Sequence, residues 1–89
     1  MKYAIKSKGW NLELSEMTQA QAEILAVHIQ AEHKTGLHRN AAIVGGALEA
    51  RLILSPEIED VSEMSPGFVG WIAGKIADVY VEALTIPKE

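Results

Sequence analysis

Residues 53–84 read ILSPEIEDVSEMSPGFVGWIAGKIADVYVEAL, and this stretch decides the fold of the chain. Its first proline ends an apolar segment, because proline lacks an amide hydrogen and disfavours helical geometry at the residue before it. Further on, Ser65 offers a capping hydroxyl and Pro66 fits the first position of a helix. The stretch therefore predicts a solvated acidic linker over residues 55–65 and a helix over residues 66–84.

The predicted last helix has three different faces. The face expected to lie against the core is an apolar stripe of Phe68, Ile72, Ile76, Val79, Tyr80 and Ala83. A second face carries Trp71, Lys75, Asp78 and Glu82. The third is a smooth strip of Gly67, Gly70 and Gly74, which is expected to receive the small residues Ala42, Gly46 and Ala50 of the preceding helix. Trp71 lies off the apolar stripe, and a partly exposed tryptophan is typical of a protein interface.

The first half of the chain predicts a β-hairpin and two helices. Apolar residues at every second position indicate the hairpin over residues 2–14, whose outer edge is a candidate contact. Thr18 caps a helix over residues 19–35, and a second helix is expected over residues 38–54. The buried face of the first helix is expected to consist of Ala20, Ile24, Val27, His28 and Ala31, widened by Leu25 and Ile29.

Length and composition limit the fold and the function. With 89 residues, 48% of them hydrophobic and 6% aromatic, the chain predicts a single domain of residues 1–89. Its fold class is α+β, mostly α, with an N-terminal β-hairpin followed by three helices packed as a small bundle. The net charge of −4 disfavours nucleic acid as a partner, since phosphate binding needs clustered Lys and Arg. No apolar run has the length of a signal peptide or a membrane span, so we expect a cytoplasmic protein that does not bind membranes.

No pattern of residues predicts catalysis, a metal site or a cofactor. His28, His33 and His38 are the only histidines. The five-residue spacing of His28 and His33 turns them about 140° apart on a helix, and Gly36 interrupts before His38, so the three are not expected to converge. His28 and Glu32 form the better-spaced pair, but two ligands do not complete a zinc site, and a role beyond structure stays open for them. No serine has a neighbouring base, and the linker carboxylates lie in a short solvated segment. We therefore expect a protein that is not an enzyme.

The order ILSP, acidic IEDV and MSPGFVGWIAGKIADVY resembles the C-terminal half of small tail assembly chaperones of long-tailed bacteriophages. The matching residues are Ile53, Pro56, Glu59, Asp60, Val61, Ser65, Pro66, Val69, Trp71, Ile72 and Ile76. The resemblance covers roughly the last 40 residues and implies a non-catalytic protein that keeps a helical tape measure protein soluble and recruits tail tube subunits. It also implies the cytoplasm of the host cell. The chain departs from these chaperones in being short and in opening with a hairpin.

Two other functions stay open at this point. One is a small inhibitor that blocks a host enzyme or a defence complex, in the way anti-CRISPR proteins do. The other is a structural subunit that assembles with copies of itself through hairpin edges and Trp71. In each case the partner is a protein. The candidate contact residues are Trp71, Lys75, Asp78, Gly70, Gly74 and Tyr3.

Overall fold

The computed structural model describes residues 3–7 and 9–85, and the side chains of Tyr3 and Ser7 lie outside the described part. The fold is α+β and mostly α. Strand β1 spans Tyr3–Ser7 and β2 spans Trp10–Leu14; helix α1 spans Gln19–Gln30 and α2 spans Gly36–Glu49. A third strand, β3, spans Ile53–Ser55, a 3₁₀ turn spans Val61–Glu63, and helix α3 spans Pro66–Leu84. The predicted hairpin and three helices are confirmed.

The sheet is antiparallel with the order β1-β2-β3. In β2 the side chains alternate, so Leu12 and Leu14 are buried while Asn11 and Glu13 are exposed. β1 pairs with β2 in a register that places Ile5 opposite Leu12. One face of this small sheet therefore covers the helices, and the other carries the polar residues.

Helix α2 lies between the other two helices and packs against both. The core is built from buried residues of β2, of all three helices and of the segment that follows α2: Leu12, Leu14, Leu25, Ile43, Val44, Ala47, Ala50, Leu52, Val69, Ile72, Ala73, Ile76 and Val79. The buried face of α3 is centred on Val69, Ile72 and Ile76. The prediction for this face was partly wrong, because Phe68 and Tyr80 are only half-buried and Ala83 is exposed.

Helix α1 ends five residues earlier than the predicted range 19–35. It begins with a capping box, in which Gln21 N donates to Thr18 Oγ1 over 3.3 Å and Thr18 N donates to Gln21 Oε1 over 2.9 Å. Its buried face is also rotated from the predicted one, since Leu25 is buried whereas Val27 is 69% exposed. The prediction that Val27 faces the core was wrong.

The segment after α2 is the largest difference from the predicted helix over residues 38–54. Helix α2 ends at Glu49, and Arg51 then takes the left-handed conformation with φ of 59°. Leu52 N donates to Ala47 O over 2.9 Å and Arg51 N donates to Leu48 O over 3.1 Å, which is the Schellman pattern of helix termination. The chain reverses there, so the residues that follow join the sheet as β3 instead of extending the helix.

Candidate partner-binding surface

Three aromatic side chains meet where the hairpin crosses the first turns of α3. The ring centroids of Trp10 and Phe68 are 5.0 Å apart, those of Trp10 and Trp71 are 5.6 Å apart, and those of Phe68 and Trp71 are 6.1 Å apart. These distances lie in the range in which aromatic pairs attract each other beyond simple burial. All three side chains are half-buried. This aromatic cluster therefore fixes the sheet on α3 while keeping part of its ring surface accessible.

An acidic groove of about 540 Å³ lies beside the aromatic cluster. Its apolar lining comes from Ile58, Met64 and Phe68, and Phe68 belongs to the groove and the cluster alike. The carboxylates that line it are Glu57, Glu59, Asp60 and Glu63. Among the described residues that line this groove there is no lysine or arginine. It therefore combines an apolar surface with an uncompensated negative charge.

Asp60 is held in its charged form by the turn that it caps. Its Oδ1 accepts hydrogen bonds from the Ser62 hydroxyl over 2.7 Å and from the Ser62 backbone N–H over 3.0 Å. The hydroxyl contributes most, followed by the backbone N–H, and together they lower the pKa of the Asp60 carboxyl below its ordinary value. Asp60 thus keeps its negative charge at pH values where an ordinary aspartate begins to be protonated.

Most of the predicted contact residues lie on the side of α3 turned away from the core, which we call the outer face. Gly74 and Asp78 are exposed there, and Trp71 and Lys75 at its border are half-buried. A Cβ atom added to Gly74 would have no described atom within 4 Å outside its own helix, so the space above this residue is open. Tyr3 and Gly70 are the exceptions. The side chain of Tyr3 lies outside the described part of the chain, and Gly70 is half-buried against α2, so the prediction that Gly70 lies on the contact surface was wrong.

The other glycines of α3 do not receive the predicted small residues of α2, although Gly70 does lie against that helix. A Cβ atom on Gly70 would lie 3.3 Å from Asn40 Nδ2, and one on Gly67 would lie 3.8 Å from Cη2 of Trp10. Gly46 faces α1, where a Cβ atom would lie 2.6 Å from Cδ2 of His28. The prediction that the glycine strip of the last helix receives Gly46 was therefore wrong. Gly46 makes room for a histidine ring of α1.

The histidines are closer than their spacing predicted. His33 and His38 approach through their Nδ1 atoms at 3.3 Å, and the prediction that they do not converge was wrong. His28 lies apart from them, packed on Gly46 with its Nε2 3.9 Å from Glu49. The predicted pairing of His28 with Glu32 was based on uninterrupted helix, whereas α1 ends at Gln30.

Sequence reasoning missed two members of the surface. Trp10 lies at the centre of the aromatic cluster, a role that its position in the hairpin did not indicate. Phe68 was assigned to the core stripe although it lines the acidic groove. The signal that could have found both is the spacing of Phe68 and Trp71, since residues three apart on a helix lie side by side and form one platform for a third ring.

Comparison with known proteins adds no relative, because no protein-family model, no curated protein and no solved structure matches this chain. Within residues 3–7 and 9–85, no three or more His, Cys, Asp or Glu side chains are grouped so that they could hold a metal ion. In the same part of the chain, every helix is too short or too polar to span a membrane.

Proposed function

We propose that this protein is a non-catalytic binding protein for a helical segment of a protein client. The observation that carries the proposal is the outer face of α3, where a half-buried tryptophan lies next to an exposed glycine with open space above it. A glycine inside a helix costs about 1 kcal/mol relative to alanine, and no described contact at Gly74 compensates for this cost. The close approach of a second helix at this position would explain it.

The neighbouring groups suit such a client. Tryptophan is enriched among the residues that contribute most to binding, and the indole of Trp71 is held in place by two other rings. A ring fixed before binding loses less conformational entropy when the partner arrives. The acidic groove adds a negative electrostatic potential beside the aromatic cluster. The surface therefore favours a client helix that has apolar residues on one face and lysine or arginine at the border of that face.

The chemistry of the client agrees with the function implied by the resemblance to phage tail assembly chaperones. In that function the client is the tape measure protein, a long helical chain that must stay soluble until tail tube subunits surround it. We propose this as the specific function of the chain. The host-enzyme inhibitor and the self-assembling subunit use the same outer face, but no feature of the described residues favours either of them.

Co-expression with a helical tape measure protein tests the proposal. The wild-type protein should keep this client in the soluble fraction and be recovered with it by affinity purification. Gly74→Leu should weaken the affinity for the client at least about tenfold, or about 1.4 kcal/mol, because the new side chain fills the space that the client helix would occupy, and recovery of the client should fall accordingly. The melting temperature of the free variant should not fall and should rise by a few degrees, since leucine gains helix propensity and the added Cβ meets no described atom.

Gly45→Leu is the matched control, because Gly45 is also a helical glycine with no described atom within 4 Å of its added Cβ but lies on α2. It should leave recovery of the client unchanged. Trp71→Ala should weaken binding as well, although it also removes ring contacts and is informative only if the variant remains folded. If Gly74→Leu and Gly45→Leu recover the client equally well, or if the wild type leaves it insoluble, the proposed function is wrong.

A further inference from the structure

The turn between α1 and α2 brings two imidazole rings together. Nδ1 of His33 lies 3.3 Å from Nδ1 of His38, and the ring centroids are 5.3 Å apart. Nε2 of His33 lies 2.8 Å from the backbone oxygen of His28, one of the last carbonyls of α1. His38 is exposed and His33 is half-buried, so the space between their Nδ1 atoms can be reached from the solvent.

The bond to the backbone decides which nitrogen of His33 carries the hydrogen. A carbonyl oxygen can only accept a hydrogen bond, so Nε2 of His33 must donate, and the neutral ring keeps a lone pair on Nδ1. Histidines that bind metals commonly donate their other N–H to a backbone carbonyl, which fixes both the tautomer and the orientation of the ring. His33 therefore has the arrangement of a ligand, with its free lone pair directed toward His38.

From this geometry we propose that His33 and His38 bind a divalent transition-metal ion of the zinc type through their Nδ1 atoms. A tetrahedral ion with Zn–N bonds of about 2.0–2.1 Å places two ligand nitrogens about 3.3–3.4 Å apart. The observed separation of 3.3 Å matches this value and is longer than the usual 2.7–3.2 Å of a nitrogen-donated hydrogen bond.

The positions of the rings agree with the nitrogen distance. With Zn–N bonds of about 2.0–2.1 Å, two imidazoles that both point at one tetrahedral ion have centroids roughly 5 Å apart. The observed 5.3 Å fits this arrangement. Two histidines leave the remaining coordination positions of the ion open to water, to a client side chain or to the same pair in a second copy of the chain.

The segment between the two ligands is held at both ends, which favours binding. The ring of His33 is tied to the end of α1 through the carbonyl of His28, and His38 lies in the first turn of α2. Thr35 caps that turn by accepting a hydrogen bond from the His38 backbone N–H over 3.0 Å. The ion would therefore clip α1 to α2 across residues 31–35, and it would stabilise the folded protein when bound.

Titration of the protein without a histidine tag tests the site, with Zn²⁺ followed by isothermal calorimetry and Co²⁺ followed by its visible absorption. We expect one ion per chain if water completes the site and one ion per two chains if two copies share it, with the strong visible bands of tetrahedral Co²⁺ in the shared case. His33→Ala and His38→Ala should each weaken binding at least about tenfold, because one remaining imidazole cannot chelate. His28→Gln is the matched control, since it removes the third histidine but keeps the backbone carbonyl, and it should bind Zn²⁺ as the wild type does.

Circular dichroism of the metal-free variants shows whether they are folded. It therefore distinguishes weaker binding caused by the missing imidazole from weaker binding caused by unfolding. If a folded His33→Ala, His38→Ala double variant binds Zn²⁺ as tightly as the wild type, or if only His28→Gln loses binding, the proposed site is wrong. Size-exclusion chromatography with and without Zn²⁺ then shows what fills the open positions. An unchanged monomer supports a site completed by water, and a zinc-dependent dimer supports an ion shared by two copies.

Discussion

The two adjacent glycines of α2 should respond differently to an added methyl group. Alanine at Gly45 should raise the free energy of unfolding, whereas alanine at Gly46 should leave it unchanged or lower it. Gly45 and Gly46 follow each other in the same helix, so alanine at either position gains the same helix propensity of about 1 kcal/mol. A Cβ atom on Gly45 has no described atom within 4 Å outside its own helix. Gly45→Ala should therefore stabilise the protein by up to about 1 kcal/mol.

At Gly46 the added methyl group would meet the ring of α1. Its Cβ would lie 2.6 Å from Cδ2, 2.7 Å from Cγ and 3.1 Å from Cβ of His28. Rotation about the last torsion angle of His28 leaves Cγ and Cβ where they are, so the ring must change its χ1 rotamer or the two helices must move apart. Forcing extra volume into a packed site costs about 1–3 kcal/mol. After the gain in propensity, Gly46→Ala should be neutral or destabilising by up to about 2 kcal/mol.

The comparison of the two variants isolates the packing cost, because the propensity gain is common to both. The gap between them should be about 1–3 kcal/mol, and for a domain of this size each kcal/mol shifts the melting temperature by about 4–8 °C. Urea unfolding followed by circular dichroism and by tryptophan fluorescence measures the gap. His28→Ala removes Cγ and Cδ2, so Gly46→Ala should cost less in that background than in the wild type. Equal melting temperatures for Gly45→Ala and Gly46→Ala would refute the packing of His28 on Gly46.

Two residues outside the helices, Arg51 and Asp60, give further predictions on stability and on a carboxyl pKa. Arg51→Gly should raise the free energy of unfolding by up to about 1 kcal/mol in urea titrations, because glycine takes the left-handed φ of 59° without the steric cost that arginine bears. For Asp60, carbon NMR titration should give a pKa below that of an ordinary aspartate, and Ser62→Ala should move it back upward. Because the folded pKa is lowered, the contribution of this carboxylate to stability is complete above the ordinary pKa and is lost as the pH falls through the lowered one. A titration midpoint unaffected by Ser62→Ala would contradict the assignment.

The last helix and the hairpin were predictable because their signals are local. Ser65 caps α3 by accepting a hydrogen bond from Phe68 N over 3.3 Å, and Pro66 occupies the first turn, as the sequence predicts. The strand alternation around Leu12 likewise follows from neighbouring residues alone. Such features depend on a few adjacent residues and do not need the rest of the fold.

The segment after α2 could not be assigned in the same way. Leu52, Ile53 and Leu54 form a short apolar run, and periodicity does not distinguish a buried helix from a strand over so few residues. The helix ends because Arg51 takes the left-handed conformation. Glycine or asparagine usually occupies this position, so an arginine there gives no sequence signal for the helix end. The helix stops there because the reversal lets Ile53 pair with Leu14 of β2, a contact distant in sequence.

The histidine pair was missed for a related reason. A spacing of five residues separates side chains on a continuous helix, but α1 ends at Gln30 and α2 begins at Gly36. The break changes the direction of the chain between His33 and His38, so their separation depends on the turn and not on helical periodicity. The predicted helices over residues 19–35 and 38–54 put His33 and His38 on different helices, so nothing in the sequence indicated that they meet.

The C-terminal end of α3 stays uncovered because the neighbouring helix is shorter than α3. At about 1.5 Å per residue the 19 residues of α3 extend over about 28 Å, whereas the 14 residues of α2 extend over about 21 Å. The aromatic cluster covers only the first turns of α3, and near its end Val81 is 63% and Leu84 57% exposed. A client helix lying along α3 would therefore meet Trp71, the open position at Gly74 and these apolar side chains in succession. The same length that leaves the end of the helix uncovered in the free protein would give the proposed helical client a continuous contact.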